Sequence, residues 1–422
     1  RVPIKVGAPN KFNGEVHGGT FYMMTDYKAP RNRIVAVDLS KPGEDHWQEL
    51  IPERADATLK GFSLAKDLIV CTYEEKATTR IRTFSRAGKP VGELRLPGIG
   101  TAGISTEDNR TEAYLSFTSF NYPTTIFRVD LTQPQAEPEV WERPEVPVDP
   151  DTVEVRQVWY PSKDGTRVSM FVVHRKGLEL DGNRPTILYG YGGFGISMTP
   201  SFTATLFPWF EDGGVLAVPN LRGGGEYGDA WHQAGMLDRK QNVFDDFIAA
   251  AEWLKANGYT RTDRLAISGG SNGGLLTGAV AMQRPDLARV AVVEVPLLDM
   301  LRYQDFLMAR YWVPEYGSAE DPAQFATLLG YSPYHQVKSG VRYPAIFLTA
   351  GENDMRVHAM HARKMAARLQ AAAAAVEGAN PVLLWVDREA GHGQGKPLKL
   401  RIRDAADEQM FLRWQLGMDT GR

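Results

Sequence analysis

Eight short apolar runs in the second part of the chain constrain the fold more than any other feature. The first two, at 154–160 and 168–174, flank a Lys163-Asp164-Gly165 turn and predict a hairpin. Helical patterns at 244–256 and 361–375 separate several of the others. Runs that are apolar on both faces and joined by helical crossovers predict a mostly parallel sheet covered by helices. We therefore expect an α/β domain with an eight-stranded, mostly parallel sheet. The six later runs are at 186–189, 214–219, 265–268, 290–295, 345–349 and 382–386.

The first 148 residues carry a repeat. Apolar, aromatic-rich runs begin near Phe21, Leu68 and Glu112, and each is followed by a second run. Within each series the starting points lie 44–47 residues apart. A period in the mid-forties with several short strands per unit is typical of β-propeller blades. We predict about three blades, with an antiparallel sandwich as the alternative.

Five prolines between residues 134 and 150 predict a linker, because proline fixes φ and removes a hydrogen-bond donor. We place a partial propeller at 1–148, with this linker near its end, and the α/β domain at 149–422. A chain of 422 residues is long enough for two such cores.

Composition argues against some partners. The net charge is only −3, which favours neither nucleic acid nor a membrane surface as a partner. No run of about 18 apolar residues, the length needed for a membrane-spanning helix, occurs in the sequence. The single cysteine, Cys71, cannot form an internal disulfide, which permits a reducing compartment. We expect a cytoplasmic protein, and periplasmic or secreted locations stay open.

Gly269-Gly270-Ser271-Asn272-Gly273 matches the pattern G-x-S-x-G. The serine follows the run at 265–268 and opens a helical stretch at 275–283. A sharp strand-to-helix turn needs glycine neighbours, and it places the hydroxyl at a helix N-terminus where backbone N–H groups can meet negative charge. We predict that Ser271 is a nucleophile; an inert serine in a glycine-rich turn is the alternative.

A serine hydroxyl needs a base. His392 follows the last predicted strand, and Asp354 lies in the loop after the preceding one. The order Ser, Asp, His along the chain is that of α/β-hydrolases. A loop aspartate can also be a helix cap, and a loop histidine can simply be exposed.

Two other motifs are of types that can hold a metal or a dinucleotide. His358 and His361 lack a convincing further metal ligand, so we expect no metal. The glycines at 223, 225 and 228 form a G-x-G-x-x-G after a predicted strand. However, the acids that follow, Asp245 and Asp246, lie in a helical pattern rather than at a strand end, so we expect no dinucleotide cofactor and a structural loop instead.

Four segments together resemble the prolyl oligopeptidase family: LYGYGGFG (188–195), RGGGEYGDAW (222–231), GGSNGGLL (269–276) and AGHGQGKP (390–397). The resemblance spans essentially the whole chain. It implies that Ser271 attacks the peptide carbonyl, that His392 moves the proton and that Asp354 orients the imidazole. The oxyanion would be met by the Asn272 backbone N–H and the Tyr191 hydroxyl.

The resemblance also implies a serine endopeptidase without cofactor that cleaves short peptides after proline through an acyl-enzyme. Arg356 would hydrogen-bond a substrate carbonyl. An apolar, partly aromatic pocket suits a compact, uncharged pyrrolidine ring, although each such residue could equally be ordinary core. The family's proline pocket corresponds to Phe194, Leu297, Met308, Trp312, Tyr316 and Val357.

Three alternatives stay open. Relatives that cleave after Lys or Arg need carboxylates to receive the cation, and Glu315 and Asp305 are nearby in the sequence. A dipeptidyl peptidase would carry an acidic pair on its propeller, which the blades present here cannot decide. A non-catalytic propeller interaction protein is the third, and the complete triad counts against it.

By the same resemblance, family members have seven blades and an N-terminal segment that packs on the hydrolase domain. We therefore expect further blades before Arg1, and a monomer when complete. We also expect that these 422 residues alone are poorly soluble or weakly active, because terminal blades would leave sheet faces uncovered.

Overall fold

The computed structural model describes residues 10–393 and 395–418. These residues form two compact units. The first comprises 10–151 with the short segments Thr199–Ala204 and Gly225–Ala230. The second comprises Thr152–Met198, Thr205–Gly224 and the described residues from Trp231 onward.

The first unit contains three four-stranded antiparallel sheets, each a simple meander in chain order. The two repeating series of the sequence correspond to the second and third strands of each sheet, and the prediction of propeller blades is confirmed. The strands are β1 Phe12–His17, β2 Thr20–Thr25, β3 Arg33–Asp38, β4 Gln48–Ile51, β5 Thr58–Ala65, β6 Leu68–Glu75, β7 Thr78–Ser85, β8 Pro90–Glu93, β9 Thr101–Ser105, β10 Glu112–Ser119, β11 Tyr122–Asp130 and β12 Glu139–Glu142.

The middle sheet is buried on both faces, which explains why β6 is apolar at consecutive positions. Ile69 and Cys71 pack with Ile34 of the first sheet, whereas Val70 packs with Leu115 of the third sheet. Successive side chains of a strand point to opposite faces, so a continuous apolar run serves two neighbours at once. The blades are therefore held together by apolar contact between stacked sheets.

One strand lies inside the proline-rich stretch that was predicted to be a linker. β12 pairs with β11 between Pro138 and Pro144, and all four of its residues are exposed. Proline is tolerated beside an edge strand because one side of that strand makes no ladder hydrogen bonds. The predicted linker thus includes the outer strand of the third blade, and the two units divide after Asp151.

The second unit is built on one eight-stranded sheet, and the predicted α/β-hydrolase architecture is confirmed. Its strand order is β13-β14-β16-β15-β17-β18-β19-β20. The pairs β13–β14 and β14–β16 are antiparallel, and all later pairs are parallel. The strands are β13 Val153–Pro161, β14 Arg167–Arg175, β15 Thr186–Tyr189, β16 Val215–Pro219, β17 Leu265–Gly270, β18 Val290–Glu294, β19 Ala345–Gly351 and β20 Val382–Asp387.

Helices cover this sheet. The helix α4 (Asn272–Gln283) is almost entirely buried. Phe244 and Phe247 of α3 (Gln241–Ala256) pack in the same core cluster as Leu275 and Leu276 of α4. The carboxyl ends of the parallel strands meet at one edge, where ligands bind in open α/β sheets. The helices are α1 Phe207–Glu211, α2 Asp229–Gln233, α3 Gln241–Ala256, α4 Asn272–Gln283, α5 Val313–Tyr316, α6 Pro322–Tyr331, α7 Pro333–Gln336, α8 Met360–Ala373 and α9 Leu398–Leu416.

Candidate active site

Ser271 occupies a strained turn between β17 and α4. Its φ is 60° and its ψ is −116°, a conformation that residues with a Cβ rarely adopt. Its backbone N–H donates to the Glu294 carbonyl at 2.9 Å, and its own carbonyl accepts from the Leu275 N–H at 3.1 Å. The turn is thus fixed on one side by β18 and on the other by the first turn of α4.

Two glycines of the G-x-S-x-G motif are required by close packing. A Cβ on Gly273 would lie 2.4 Å from the Gly190 carbonyl oxygen, and one on Gly269 would lie 2.7 Å from the same atom. Real Cβ atoms do not approach a backbone oxygen so closely. The motif therefore lets the strand-to-helix turn at Ser271, called the elbow below, lie directly against the loop that follows β15 and carries Tyr191.

The three side chains of the predicted triad lie together. His392 Nε2 is 3.0 Å from Ser271 Oγ, and His392 Nδ1 is 2.6 Å from Asp354 Oδ2. Ser271, Asp354 and His392 follow β17, β19 and β20, so parallel strand ends bring them to one edge. The distances suit a serine nucleophile, a base and a group that orients the base.

Asp354 is held as a carboxylate by its surroundings. Burial alone would raise its pKa, but the hydrogen bond from His392 and the backbone N–H groups of Val357 and Arg356 outweigh burial and lower it. The two backbone bonds measure 2.9 and 2.8 Å. An ionised Asp354 can accept a hydrogen bond from the Nδ1–H group of His392 and keep Nε2 directed at the serine.

Tyr191 extends from the loop after β15, and its side chain lines the same cavity as Ser271. Burial raises the phenol's pKa, and the nearby Arg356 guanidinium only partly opposes this. The hydroxyl therefore keeps its proton at neutral pH and can donate. Asn272 is the first residue of α4, where backbone N–H groups have no partner within the helix. Both predicted oxyanion donors thus lie beside Ser271.

Three of the predicted pocket residues form an aromatic cluster. The Phe194 ring lies edge-on to Trp312 at 6.4 Å and to Tyr316 at 5.5 Å between centroids. Phe194 is half-buried with φ of 59°, while Trp312 is 9% exposed. Edge-to-face packing fixes the orientation of each ring and leaves part of Phe194 accessible.

The other predicted binding residues differ in accessibility. Leu297 and Tyr316 are each 1% exposed, so they support this region from beneath. Val357 is also buried in the same core cluster, whereas Met308 is half-buried against it. Arg356 is exposed, and its guanidinium lies close enough to Tyr191 to affect that phenol.

Glu315 already has partners, which bears on cleavage after Lys or Arg. Its Oε1 accepts the Phe194 N–H at 3.0 Å and lies 3.6 Å from Lys240 Nζ. Its Oε2 is 2.7 Å from His232 Nε2. The side chain is 4% exposed, so a substrate cation would have to displace these groups. Asp305 is exposed at the end of a short 3₁₀ turn.

A cavity of about 340 Å³ adjoins Ser271 and His392. Burial raises the pKa of both Glu294 and Glu408. The charge of Asp404 raises the pKa of Glu294 further, and the charge of Glu294 does the same for Glu408. Lys396 lies in ion-pair distance of Asp387 at 2.5 Å. The acidic side chains that line this cavity form no pattern in the sequence, because they come from β18, β20 and α9, which are far apart in the chain. These acids are Glu294, Asp387, Asp404, Asp407 and Glu408.

The two rejected motifs have structural roles. The buried His361 ring accepts from the Leu298 and Asp299 N–H groups, and burial lowers its pKa to about 4. Among residues 10–393 and 395–418, no group of three or more His, Cys, Asp or Glu is arranged to hold a metal. Gly223 packs against the Gly192 carbonyl, so its loop supports the Tyr191 loop.

Sequence analysis also missed Lys240, whose ammonium lies under the Tyr191 loop. It precedes α3 in a polar stretch that predicts a solvated lysine, and no local pattern signals burial.

The sheet, the elbow and the Ser–His–Asp geometry define an α/β-hydrolase. A family model described as the prolyl oligopeptidase family matches residues 200–419, and a model of its N-terminal β-propeller domain matches residues 9–142. The chain belongs to the prolyl oligopeptidase family.

Curated relatives agree with this assignment. The chain is 42% identical over 406 residues to a prolyl endopeptidase of Elizabethkingia miricola, covering 96% of this chain and 57% of the relative. It is 40% identical to the prolyl endopeptidase of Elizabethkingia meningoseptica, covering 99% of this chain and 59% of the relative. The chain thus spans less than two thirds of the length of these relatives.

Solved structures are similar over nearly the whole chain. One, from an analysis of two prolyl endopeptidases, has a TM-score of 0.93 and 46% identity, covering 99% of this chain and 61% of that one. Prolyl oligopeptidase B from Galerina marginata, bound to a 35-residue hydrolysis and macrocyclization substrate, has a TM-score of 0.92 and 35% identity, covering 99% of this chain and 59% of that one.

Within the described part of this chain, no helix has the length and apolarity needed to cross a membrane.

Proposed function

We propose that this protein is a serine endopeptidase that hydrolyses short peptides on the carboxyl side of proline through an acyl-enzyme. The observation that carries the proposal is the alignment of Ser271 Oγ, His392 and Asp354 at 3.0 and 2.6 Å. Such an alignment activates a hydroxyl that is otherwise a weak nucleophile. Similarity to prolyl endopeptidases supports the choice of proline.

In the proposed reaction His392 Nε2 takes the Ser271 proton as Oγ attacks the peptide carbonyl. The new oxyanion accepts from the Tyr191 hydroxyl and the Asn272 N–H, which are preorganised for charge that develops in the transition state. His392 then returns the proton to the leaving amine, which releases the first product. Water hydrolyses the ester by the same steps, with His392 again acting as the base.

We assign proline selection to the apolar surface formed by Phe194, Trp312 and Met308, over the buried side chains of Leu297, Tyr316 and Val357. An uncharged pyrrolidine ring gains from apolar contact, and the surface needs no counter-charge. Arg356 is assigned to a substrate carbonyl, because it is exposed beside Tyr191. The partners of Glu315 disfavour the alternative of cleavage after Lys or Arg.

Peptides that differ only in the residue before the scissile bond test this function. Matched fluorogenic peptides with Pro, Ala, Arg or Lys at that position are assayed with the complete gene product. We expect proline peptides to be cleaved with by far the highest kcat/KM. A preference for Arg or Lys would replace this proposal with the alternative.

The nucleophile is tested separately with a phosphonate probe. We expect the probe to label Ser271, and Ser271→Ala to lower kcat by about 10⁴–10⁶-fold. Ser268→Ala is the matched control, because this buried serine lies on β17 below the elbow. Normal turnover in Ser271→Ala would refute the mechanism.

We further propose that the protein acts as a cytoplasmic monomer with short proline-containing peptides as substrates. Light scattering of the purified gene product and fractionation of the producing cells test the two parts. A stable oligomer or an exported enzyme would contradict them.

A further inference from the structure

Lys240 is a buried cation that contacts both sides of the elbow. Its side chain is 1% exposed, and Nζ donates to the Gly192 carbonyl at 3.0 Å and to Asn272 Oδ1 at 3.2 Å. Gly192 directly follows Tyr191, and Asn272 directly follows Ser271. One ammonium therefore joins the residues next to the nucleophile and next to the tyrosine that reaches it.

The same cation has an acidic partner that contacts the far end of the loop. Glu315 Oε1 lies 3.6 Å from Lys240 Nζ and accepts the Phe194 N–H at 3.0 Å. The loop from Gly192 to Phe194 is thus bonded at one end to the cation and at the other to its counter-ion. The Tyr316 ring lies beneath, with its centroid 5.3 Å from Nζ.

The Asn272 side chain connects Lys240 with the Tyr191 loop. Its Nδ2 donates to the Tyr191 carbonyl at 2.5 Å, and its Oδ1 accepts from Lys240 and from the Tyr316 hydroxyl. Because Oδ1 is bound by two donors, the amide is held with Nδ2 directed at Tyr191. Lys240 therefore holds the Tyr191 loop in two ways. It donates to the carbonyl of the adjacent Gly192, and it fixes the Asn272 amide that donates to the Tyr191 carbonyl.

We propose that Lys240 is a positioning residue that holds the Tyr191 hydroxyl at the correct place beside Ser271 for oxyanion stabilisation. The proposal rests on the proposed peptidase function and adds a residue to it. Oxyanion donors work because they are fixed before charge develops, and a displacement of about 1 Å can cost about 100-fold in rate.

Burial of a lysine is costly, which argues for a role beyond filling space. Burial lowers the pKa of the Lys240 ammonium to about 8, and the charge of Glu315 opposes that shift. A methionine would fill similar volume without desolvating a charge. What methionine lacks is the set of donors that reach Gly192 and Asn272.

The test is a double-mutant cycle in the complete gene product. Lys240→Met, Tyr191→Phe and the double variant are assayed with a proline peptide, and folding is checked by circular dichroism and thermal unfolding. We expect Lys240→Met to lower kcat by about 10–100-fold with KM changed less than about threefold. In the Tyr191→Phe background the same substitution should cost less than about threefold, because the hydroxyl that it positions is gone.

A structural role alone would lower activity by the same factor in both backgrounds, and that result would overturn the proposal. Unchanged kcat in folded Lys240→Met would overturn it as well. If Lys240→Met fails to fold, Lys240→Gln is used, since its amide retains donors without charge. Failure of both variants to fold would assign Lys240 to stability and not to positioning.

Lys255→Met is the matched control, because Lys255 is a half-buried lysine on α3 that pairs with Glu252. We expect its kcat to stay within about twofold of the parent. The two proposals fail in different ways. An unmodified protein that does not cleave proline peptides, or an active Ser271→Ala, refutes the peptidase function. A parent that depends on Ser271 but not on Lys240 refutes only the positioning role.

Discussion

The Asn272 side chain donates a hydrogen bond to the Tyr191 carbonyl over 2.5 Å, across 81 residues of sequence. The residue after the proposed nucleophile thus holds the loop that carries Tyr191, the proposed second oxyanion donor. Asn272 is 1% exposed, and its amide oxygen also accepts from the Lys240 ammonium and the Tyr316 hydroxyl. The side chain of Asn272 therefore holds the Tyr191 loop, whereas its backbone N–H is the proposed donor to the oxyanion.

Asn272→Ala tests the side-chain task, because alanine keeps the backbone N–H. We expect kcat to fall by about 10–100-fold and the free energy of unfolding to fall by about 1–3 kcal/mol, since buried partners lose their bonds. Activity assays and thermal unfolding measure the two effects. Asn257→Ala at the end of α3 is the control, because this exposed amide donates to the Trp253 carbonyl of the same helix, and we expect normal kcat. A fully active Asn272→Ala would contradict this account.

Gly273→Ala tests the close packing of the elbow. The added Cβ would lie 2.4 Å from the Gly190 carbonyl oxygen, so the Tyr191 loop must shift. We expect kcat to fall by more than about 100-fold, as a displacement near 1 Å does. Gly330→Ala is the control, because a Cβ there meets nothing within 4 Å in α6. It should be neutral or stabilise by about 0.5–1 kcal/mol. Equal kcat for both variants would contradict the prediction.

Trp312→Ala tests proline selection. We expect kcat/KM for proline peptides to fall by about 10–200-fold, the range for lost apolar contacts in a pocket. Activity on the matched alanine peptide should change much less, so the ratio of the two constants is the measurement. Tyr311→Ala is the control, because that neighbouring ring is 66% exposed. An unchanged proline-to-alanine ratio in Trp312→Ala would remove Trp312 from the pocket.

Asp164→Asn tests an ion pair of the second unit. The Arg222 guanidinium donates to Asp164 at 2.5 Å and lowers the carboxyl's pKa to about 2 from an ordinary 3.8. A depressed folded-state pKa means that the pair stabilises the protein above about pH 4 and that this contribution is lost as the pH falls toward 2. The Asp164 side chain is 49% exposed, so solvent screening keeps the effect small.

We expect the unfolding temperature of Asp164→Asn to lie slightly below the parent's at pH 6, with the two converging between pH 4 and 2. Thermal unfolding followed by circular dichroism across this range measures the difference. A gap that widens toward pH 2 would show that the sign is wrong.

Local patterns in the sequence were sufficient for the fold and for the candidate triad. The apolar runs predicted every strand of the second unit to within a few residues. The central parallel strands β15, β17 and β18 are buried on both faces, which requires their continuous apolar sequence. β17 and β19 each extend two residues beyond the predicted run, and in β17 Gly269 and Gly270 continue the pairing with Val293 and Glu294. Glycine-rich composition predicts a turn there, but backbone pairing does not depend on a side chain.

Ser271, Asp354 and His392 could be predicted to meet because each follows a strand of one parallel sheet. Carboxyl ends of such strands lie at one edge, so chain order alone places the three loops together. Their roles, and those of the pocket residues, stay predictions until the variants are measured.

What the sequence by itself determined is therefore the architecture and the loops that carry the chemistry, because hydrophobic periodicity and glycine turns are local properties of a chain. Only the tertiary structure decided which polar groups support the site. Lys240 meets Gly192 across 48 residues and Asn272 across 32, and Phe194 meets Glu315 across 121. A lysine or glutamate of ordinary sequence context is expected to be solvated. Its burial is decided by which loops fold over it, and no local pattern in the chain records that.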